Sequence, residues 1–441
     1  MLLSVIIVLT LLSYTCGDNP AIQMILTNKG LQYGKQTSVG WIQGKLGSLT
    51  VPDIHGGVDI GIGTVYYTLT GITVTKCDFP EPSVEFAPEV TGFRTSISGI
   101  NLALTGQWFN QFGIIHDSGS FQAAIISVDV TSVLELGRDP DGHLSVDSAS
   151  CDAHVGNVDV EFYGGASFIF QPFVDHFRGR IRAEIEMKIC PAVKESILNL
   201  EYHLQAMNVS FDINQVLTLA LPLTDSPLMD ASSLKLCLKG EFYSINNPVE
   251  PPFEAQRFTM TEQSAYMLSV GLSEYSLNTA SYGYYSAGFL QVLINDSMIP
   301  HISPVRLNTS YMGQFIPQLP KMFPGLLMTL QVYATEAPMF SLHPDAVKLC
   351  SQVAVKAFAI QPNGTQTPLF KLSVDSKFSG KMWIASGRLK GSMTMDNLTL
   401  TLASSEVGMF EMKHAQLVNS VLTMQEGFLA FSSDAEVLLT D

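Results

Sequence analysis

Charge is scarce in this chain. Only 15% of its 441 residues are Asp, Glu, Lys or Arg, against 46% hydrophobic, so large buried surfaces or an apolar-lined cavity must account for the composition. Basic residues are the scarcer kind: 24 Lys and Arg stand against 40 Asp and Glu, a formal charge of −16. That balance excludes a general nucleic-acid binder and a polybasic membrane-surface binder. Six cysteines are too few for a disulfide scaffold, so packing must carry the fold. Long apolar runs are missing too. The run from Leu2 to Leu12 is too short to span a bilayer and no other stretch is better, so no transmembrane helix is expected.

Catalytic signatures are absent as well. The nine histidines, at positions 55, 116, 143, 154, 176, 203, 301, 343 and 414, show no HExxH or other close ligand spacing, and there is no GxSxG elbow, P-loop or Cys-x-x-Cys. His116-Asp117-Ser118 names triad residue types, but adjacency in sequence is not triad geometry. Asp139 and Asp141 suggest a calcium loop, yet the further oxygen ligands and distal glutamate of an EF-hand are missing, and a plain turn is the better reading. No enzyme activity, cofactor or metal is expected.

What is present points to the secretory route. Met1 to Gly17 reads as a signal peptide, with its apolar core at Leu2 to Leu12 and small residues Thr15 and Gly17 before the cut. Five glycosylation sequons agree with it, at Asn208, Asn295, Asn308, Asn363 and Asn397. With Cys16 removed, five cysteines remain, so at least one is free or pairs with another chain. A secreted, extracellular protein follows.

Taken in order, Ala21 to Thr27 reads as a strand, and Asn28 opens a helix that Pro52 ends. From Gly57 to Val160 apolar and polar residues alternate as in a strand meander. The inward set steps from Phe121, Ala123 and Ile125 to Ile126, Val128 and Val130, as a bulge would produce. Arg138 to Gly142 is a hairpin loop. Phe168 to Leu204 carries the longest helical stripe: Phe170, Phe173, Phe177, Ile181, Ile185, Ile189, Val193, Ile197 and Leu200. Such a stripe serves as core or as a ligand wall, and periodicity does not separate the two. Leu217 to Leu223 and the strand at Leu234 are expected to contribute to a sheet joining two lobes. Asn246 to Pro252 (NNPVEPP) is neither helix nor interior strand and reads as a linker. The second half repeats the plan: helices near Ser273 to Ser286 and Tyr311 to Phe323, strands at Phe289 to Ile294, Leu327 to Ala334, Val353 to Ile360, Leu369 to Val374, Arg388 to Met395 and Leu398 to Leu402. Asp396-Asn397 breaks the last alternation as a bulge or turn.

The run Lys239-Gly240-Glu241-Phe242-Tyr243-Ser244, then Pro251-Pro252-Phe253, Gly271-Leu272-Ser273-Glu274-Tyr275 and Asn278-Thr279-Ala280, closely resembles the middle of the bactericidal/permeability-increasing and lipopolysaccharide-binding protein family. Asn19-Pro20, Lys29-Gly30-Leu31, Tyr33 and Val51-Pro52-Asp53 resemble its first segment. The resemblance implies an α+β, elongated two-barrel fold, each lobe a strongly twisted antiparallel sheet wrapped on long helices, joined by a central sheet and the proline-rich linker. Residues 18–223 would form the first barrel, 224–258 the central strand and linker, and 259–441 the second barrel. Ser405 to Phe410 matches the approach to the family's last long helix, but the closing strands follow almost at once, so the second lobe is expected to lack that helix.

The same resemblance implies a disulfide between Cys151 and Cys190, and an apolar pocket with Ile42, Leu46, Phe173, Phe177, Ile181 and Ile185 as candidates. It implies a phospholipid or bacterial lipid as partner and a role in innate immune defence. Lipid carriage or transfer, or a matrix protein that has lost its ligand, are the alternatives. Endotoxin-binding members carry clustered Lys and Arg at the first lobe's tip, whereas the matching segments here hold Lys45 alone. Arg and Lys are what phosphate recognition needs, so lipid A binding by that route is weakened. Trp108, Phe109 and Phe112 either enter a lipid surface or pack inside the tip.

Overall fold

The structure is a computed structural model that describes residues 19–36, 51–165, 167, 174–260, 264–299, 303, 306–385, 388–408, 416–425 and 428–436. In chain order come β1 (Ile22–Thr27), helix α1 over residues 28–36, β2 (Ile54–Asp59), β3 (Thr64–Asp78), β4 (Ser83–Ala87), β5 (Gly92–Phe112), β6 (Ile115–Arg138), β7 (Leu144–Tyr163) and α2 (Val174–Gln205). Next are β8 (Ser210–Asp212), β9 (Leu217–Ala220), β10 (Leu228–Met229), β11 (Ser233–Leu238), β12 (Glu241–Ser244), β13 (Leu268–Leu272), α3 (Glu274–Ser286) and β14 (Gln291–Asn295). The chain then runs through α4 (Thr309–Met312), α5 (Leu319–Met322), β15 (Met328–Ala334), β16 (Met339–His343), β17 (Ala346–Ile360), β18 (Gln366–Ala385), β19 (Arg388–Ser405), β20 (Gln416–Gln425) and β21 (Phe428–Glu436). Two compact units result. One holds the chain up to Val209 with Pro222–Leu238 and Thr259–Gly271, the other Ser210–Leu221, Lys239–Phe258 and Leu272 onward.

In the first unit an antiparallel sheet runs β2-β3-β5-β6-β7, with β4 on β5. Alternation builds it. Phe121, Ala123 and Ile125 of β6 are buried while Gln122 and Ala124 are exposed, the pattern of a strand with one dry face. The expected bulge is there: Leu102 pairs with Ile125 but Ile100 with Val128. Ser127 takes a φ of 58°, and its N–H donates to Asn101 Oδ1 at 3.1 Å. Val128 thereby returns to the buried face. Ile126, expected inward, sits in the bulge itself and is exposed.

Helix α2 lies against this sheet, chiefly on β7. It buries Phe177, Ile181 and Ile185, four residues apart on one face, and past Pro191 it buries Ile197 in a separate cluster with Phe86, Leu136 and Leu234. Leu200, read as part of the stripe, is exposed; Phe170 and Phe173 lie outside the described residues. Pro191 falls inside the helix, where it removes a backbone donor. The Cys151–Cys190 disulfide fastens the adjacent residue to β7, with the Cα atoms 5.7 Å apart. Cys77 and Cys350 are free. A second sheet of this unit, β10-β11-β1-β13, pairs Ile22–Thr27 with Ser233–Leu238.

The second unit has an eight-stranded sheet, β14-β15-β17-β18-β19-β20-β21 with β16 on β17, and a three-stranded one, β12-β9-β8. Leu217–Ala220 and Ser233–Leu238, expected to share a sheet, fall in different ones: Leu217–Ala220 pairs with Glu241–Ser244, and Ser233–Leu238 with Ile22–Thr27. The helix expected over Tyr311 to Phe323 is two short ones. Gly313 and Pro317 separate them, and Asn308 caps the first by accepting from the Tyr311 N–H at 2.7 Å. Strands expected at Arg388 to Met395 and Leu398 to Leu402 are the single strand β19, with Asp396 the extra residue: Phe378 pairs with Met395 and Lys377 with Asn397. From the end of β19 at Ser405 to the start of β20 at Gln416 there is no room for a helix like α2, which spans 32 residues.

The disulfide closes a loop across a separation of 39 residues, which constrains the unfolded chain by on the order of 3–4 kcal/mol. Cys151→Ala should therefore lower unfolding free energy by a few kcal/mol in denaturant titration. An unchanged midpoint would show that the loop is held by other means.

Candidate functional site

The densest apolar region of the first unit is the seam between α2 and the sheet. Phe177, fully buried, stands edge-on to Tyr67 with ring centroids 4.8 Å apart and to Phe162 at 4.9 Å. Ile181 and Ile185 continue the seam in one cluster with Leu69, Leu104, Phe121, Ile125 and Val158. Of the pocket candidates, Phe177, Ile181 and Ile185 are thus brought together; Ile42, Leu46 and Phe173 lie outside the described residues, as does Lys45. Polar side chains hold the helix at its margins. Glu186 accepts from the Val155 N–H at 2.8 Å, Arg182 donates to the Gly156 carbonyl, and Arg178 pairs with Asp159 and Asp175, each at 2.9 Å. The Tyr67 hydroxyl meets His176 Nε2 at 3.1 Å. Burial pushes this phenol above its usual range, against the opposing charge and hydrogen bond of Arg180.

At one end of the sheet two hairpins lie side by side. Pairing of Tyr66 with Gln111 sets the β2–β3 turn beside the β5–β6 turn, and a side chain at Gly63 would come within 2.9 Å of the Phe112 ring. Here the tip candidates separate. Trp108 is wholly buried, its Nε1 donating to the Tyr163 carbonyl at 3.1 Å, so it packs inside and is withdrawn as a lipid contact. Phe112 is half-buried and Phe109 is exposed. The residues that project are others: Ile62 is 82% exposed, Ile114 95% and Ile115 64%. Turn apices ordinarily carry Gly, Asn, Asp or Ser, so isoleucine there has no folding rationale. The signal was readable in Gly61-Ile62-Gly63 and Gly113-Ile114-Ile115, where glycines mark the turns.

Asp139, Asp141 and His143 bring ligand atoms within 4.8 Å of one another. Asp139 is already engaged, Oδ1 accepting from the His143 N–H and Oδ2 facing His143 Nδ1, both at 2.7 Å. Three side chains fall short of the six to eight oxygens calcium takes, and the loop reads as a turn. Burial raises the Asp139 carboxyl, but the His143 hydrogen bonds and charge outweigh it and hold the group below its usual range. Of the sequons, Asn208, Asn363 and Asn397 are exposed, whereas Asn295 and Asn308 are half-buried.

These features define a two-lobed α+β protein of curled antiparallel sheets with an apolar interior. The chain belongs to the LBP / BPI / CETP family, a family of lipid-binding proteins: the profile of its N-terminal domain matches residues 30–207 and that of its C-terminal domain residues 211–430. It is 35% identical to a bactericidal permeability-increasing protein of Sebastes schlegelii over 93% of this chain and 87% of that one. It is 29% identical to the lipopolysaccharide-binding protein of Bos taurus over 92% and 85%. A crystal structure of lipopolysaccharide binding protein shares the fold at a TM-score of 0.56 and 24% identity, covering 95% of this chain and 99% of that one.

Phe177→Ala should open a cavity in the seam and lower stability by about 3–5 kcal/mol, read by thermal unfolding; a loss under about 1 kcal/mol would mean the seam is loosely packed. The Asp139 carboxylate, held below its unfolded value of about 3.9, adds stability above that pH and loses it as pH falls through the folded value. Asp139→Asn should flatten the acid limb of the stability profile below about pH 4. An unaltered limb would show that this carboxylate contributes nothing to it.

Proposed function

We propose that this chain is a secreted lipid-binding protein acting in innate defence, which holds the acyl chains of a phospholipid or bacterial lipid in the apolar interior of its first unit and does no covalent chemistry. The observation that carries the reading is the match of residues 30–207 to the N-terminal domain of a lipid-binding family, a region whose interior around Phe177, Ile181 and Ile185 is apolar. Each buried methylene contributes about 0.8 kcal/mol, so a two-chain lipid needs no covalent link. The names of the relatives, lipopolysaccharide-binding and bactericidal permeability-increasing, support a bacterial lipid as ligand. No helix among the described residues is long and apolar enough to cross a membrane.

One observation favours lipid carriage over endotoxin capture. Residues 54–70 and 105–120, which form the two hairpin ends, contain no Lys or Arg, while Asp59 and Asp117 flank the projecting isoleucines. Among the described residues these two hairpin ends offer phosphate groups no Lys or Arg. An uncharged lipid surface finds partners there, because Ile62, Ile114 and Ile115 lose nothing on leaving water.

Vesicle flotation tests the surface. Binding to phosphatidylcholine vesicles should vary little with salt, since few charges are available to screen, and Ile62→Asp with Ile114→Asp should weaken it at least about tenfold. Tight binding to lipid A vesicles that salt abolishes would contradict the assignment. For the interior, Ile181→Asp places an unpaired carboxylate in the seam. A folded variant should take up almost none of a fluorescent phospholipid that the parent protein retains; full uptake would place the ligand elsewhere.

A further inference from the structure

The two long sides of α2 are held differently. Toward β7 its charged side chains are spent. Arg178 pairs with Asp159 at 2.9 Å, Arg182 donates to the Gly156 carbonyl, Glu186 accepts from the Val155 N–H at 2.8 Å, and the Cys151–Cys190 disulfide fastens the same side. Toward β2 the contacts are long. Arg180 Nη2 stands 3.4 Å from the His55 carbonyl and 3.9 Å from Glu184 Oε1, near the limit of a hydrogen bond and of an ion pair. Arg180 and Glu184 lie one turn apart, so their side chains leave the helix together. Cation before anion is the less favourable order along a helix, so helix stability does not account for the pair. The two side chains keep 45% and 22% of their surface exposed. Among the described residues Glu184 has Arg180 as its one charged partner.

The apolar seam reaches this margin. Tyr67 of β3 stands opposite Gly56 of β2, and a side chain at Gly56 would collide with the Tyr67 hydroxyl, so the glycine makes room for the phenol to lie across β2. The Tyr67 ring packs edge-on against Phe177, with centroids 4.8 Å apart, while its hydroxyl meets His176 Nε2 at 3.1 Å beside Arg180. One side chain thus runs from the buried aromatic cluster to the exposed His176 and Arg180. An apolar wall that ends in a cation, an anion and a hydroxyl suits a molecule with acyl chains at one end and a charged head at the other.

We propose that the margin between α2 and β2 is the mouth of the seam and reads a phosphoethanolamine headgroup, Arg180 taking the phosphate and Glu184 the primary ammonium. The proposal rests on the lipid-binding reading given above and adds the place and chemistry of the headgroup. A guanidinium offers phosphate paired N–H donors, and burial keeps the neighbouring Tyr67 phenol protonated. The ammonium supplies Glu184 with N–H donors. A quaternary choline has no N–H to give and is recognised by aromatic cages instead. A headgroup without an ammonium brings its negative charge to Glu184 uncompensated. The incoming head displaces only the long contacts of Arg180 with Glu184 and His55.

The test uses the full chain and fluorescent lipids of identical acyl chains: phosphatidylethanolamine, phosphatidylcholine, phosphatidylglycerol and diacylglycerol. The parent protein should retain phosphatidylethanolamine at least about fivefold better than any of the others. Arg180→Gln should bring the phospholipids down to the diacylglycerol level. Diacylglycerol uptake and the thermal midpoint should stay as in the parent, because both side chains of the pair reach solvent. Glu184→Gln should instead bring phosphatidylglycerol level with phosphatidylethanolamine. Three results overturn the proposal. One is a parent that retains the phospholipids alike or favours another headgroup. Another is a variant that keeps the parent's order of preference. The third is a variant that loses diacylglycerol as well, which would make the pair a support of the seam and not a reader of headgroups. If the parent retains none of these lipids, the lipid-binding reading itself fails and takes this proposal with it.

Discussion

Everything in the first unit depends on the burial of one side of α2 in the concave face of a curled sheet. Long antiparallel strands with one dry face cannot leave it in water, and here the face is lined by Leu69, Leu104, Phe121, Ile125, Val158 and Phe162. Phe177 supplies the centre of the cover, wedged between Tyr67 and Phe162. The polar margin of the helix then fixes how it lies: Arg178, Arg182 and Glu186 each reach a partner on β7. Those contacts set register more than they add energy, since exposed ion pairs contribute little. The disulfide sits beside Pro191, the one point at which the helix would otherwise be weakest.

The second unit solves the same problem with less. Its core gathers around α4 and α5, where Leu307, Ile316 and Leu319 pack on Met328, Ala357, Leu369 and Phe370. Beyond that cluster the strands run on, to Ala385 in β18 and from Arg388 in β19, past the reach of these short helices. The two units share a strand plan and differ in cover. That difference in cover is the reason the proposed lipid is assigned to the first unit.

Much of this was legible in the residues. Period-two alternation placed most long strands, the i, i+4 spacing of Phe177, Ile181 and Ile185 gave the buried face of α2, and breaks in alternation at Ile125–Ile126 and Asp396–Asn397 marked two of the bulges, while others, such as those at Ala357–Phe358 and Val133–Leu134, left no such mark. Misreadings had local causes. Strand β16 went unread because Pro338 and Pro344 bracket it. The helix expected over Tyr311 to Phe323 ignored what Gly313, Pro317 and Pro320 do to a helix interior. Trp108 looked like a tip residue because composition alone does not reveal register. Opposite it stands Gly119, where a side chain would come within 2.7 Å of the indole; the glycine makes room for Trp108 to lie flat inside. The projecting isoleucines were overlooked for the converse reason, since at the end of an alternating run an apolar residue reads as one more strand position.

The central claim is that the first unit's interior holds lipid in the protein as it exists in solution. Native mass spectrometry of the intact, gently purified protein addresses it directly. The account predicts a mass above that of the denatured chain by at least one phospholipid-sized adduct, released on denaturation and recovered in an organic extract in stoichiometric amount. A single species at the mass of the denatured chain, with an extract free of lipid, would contradict it.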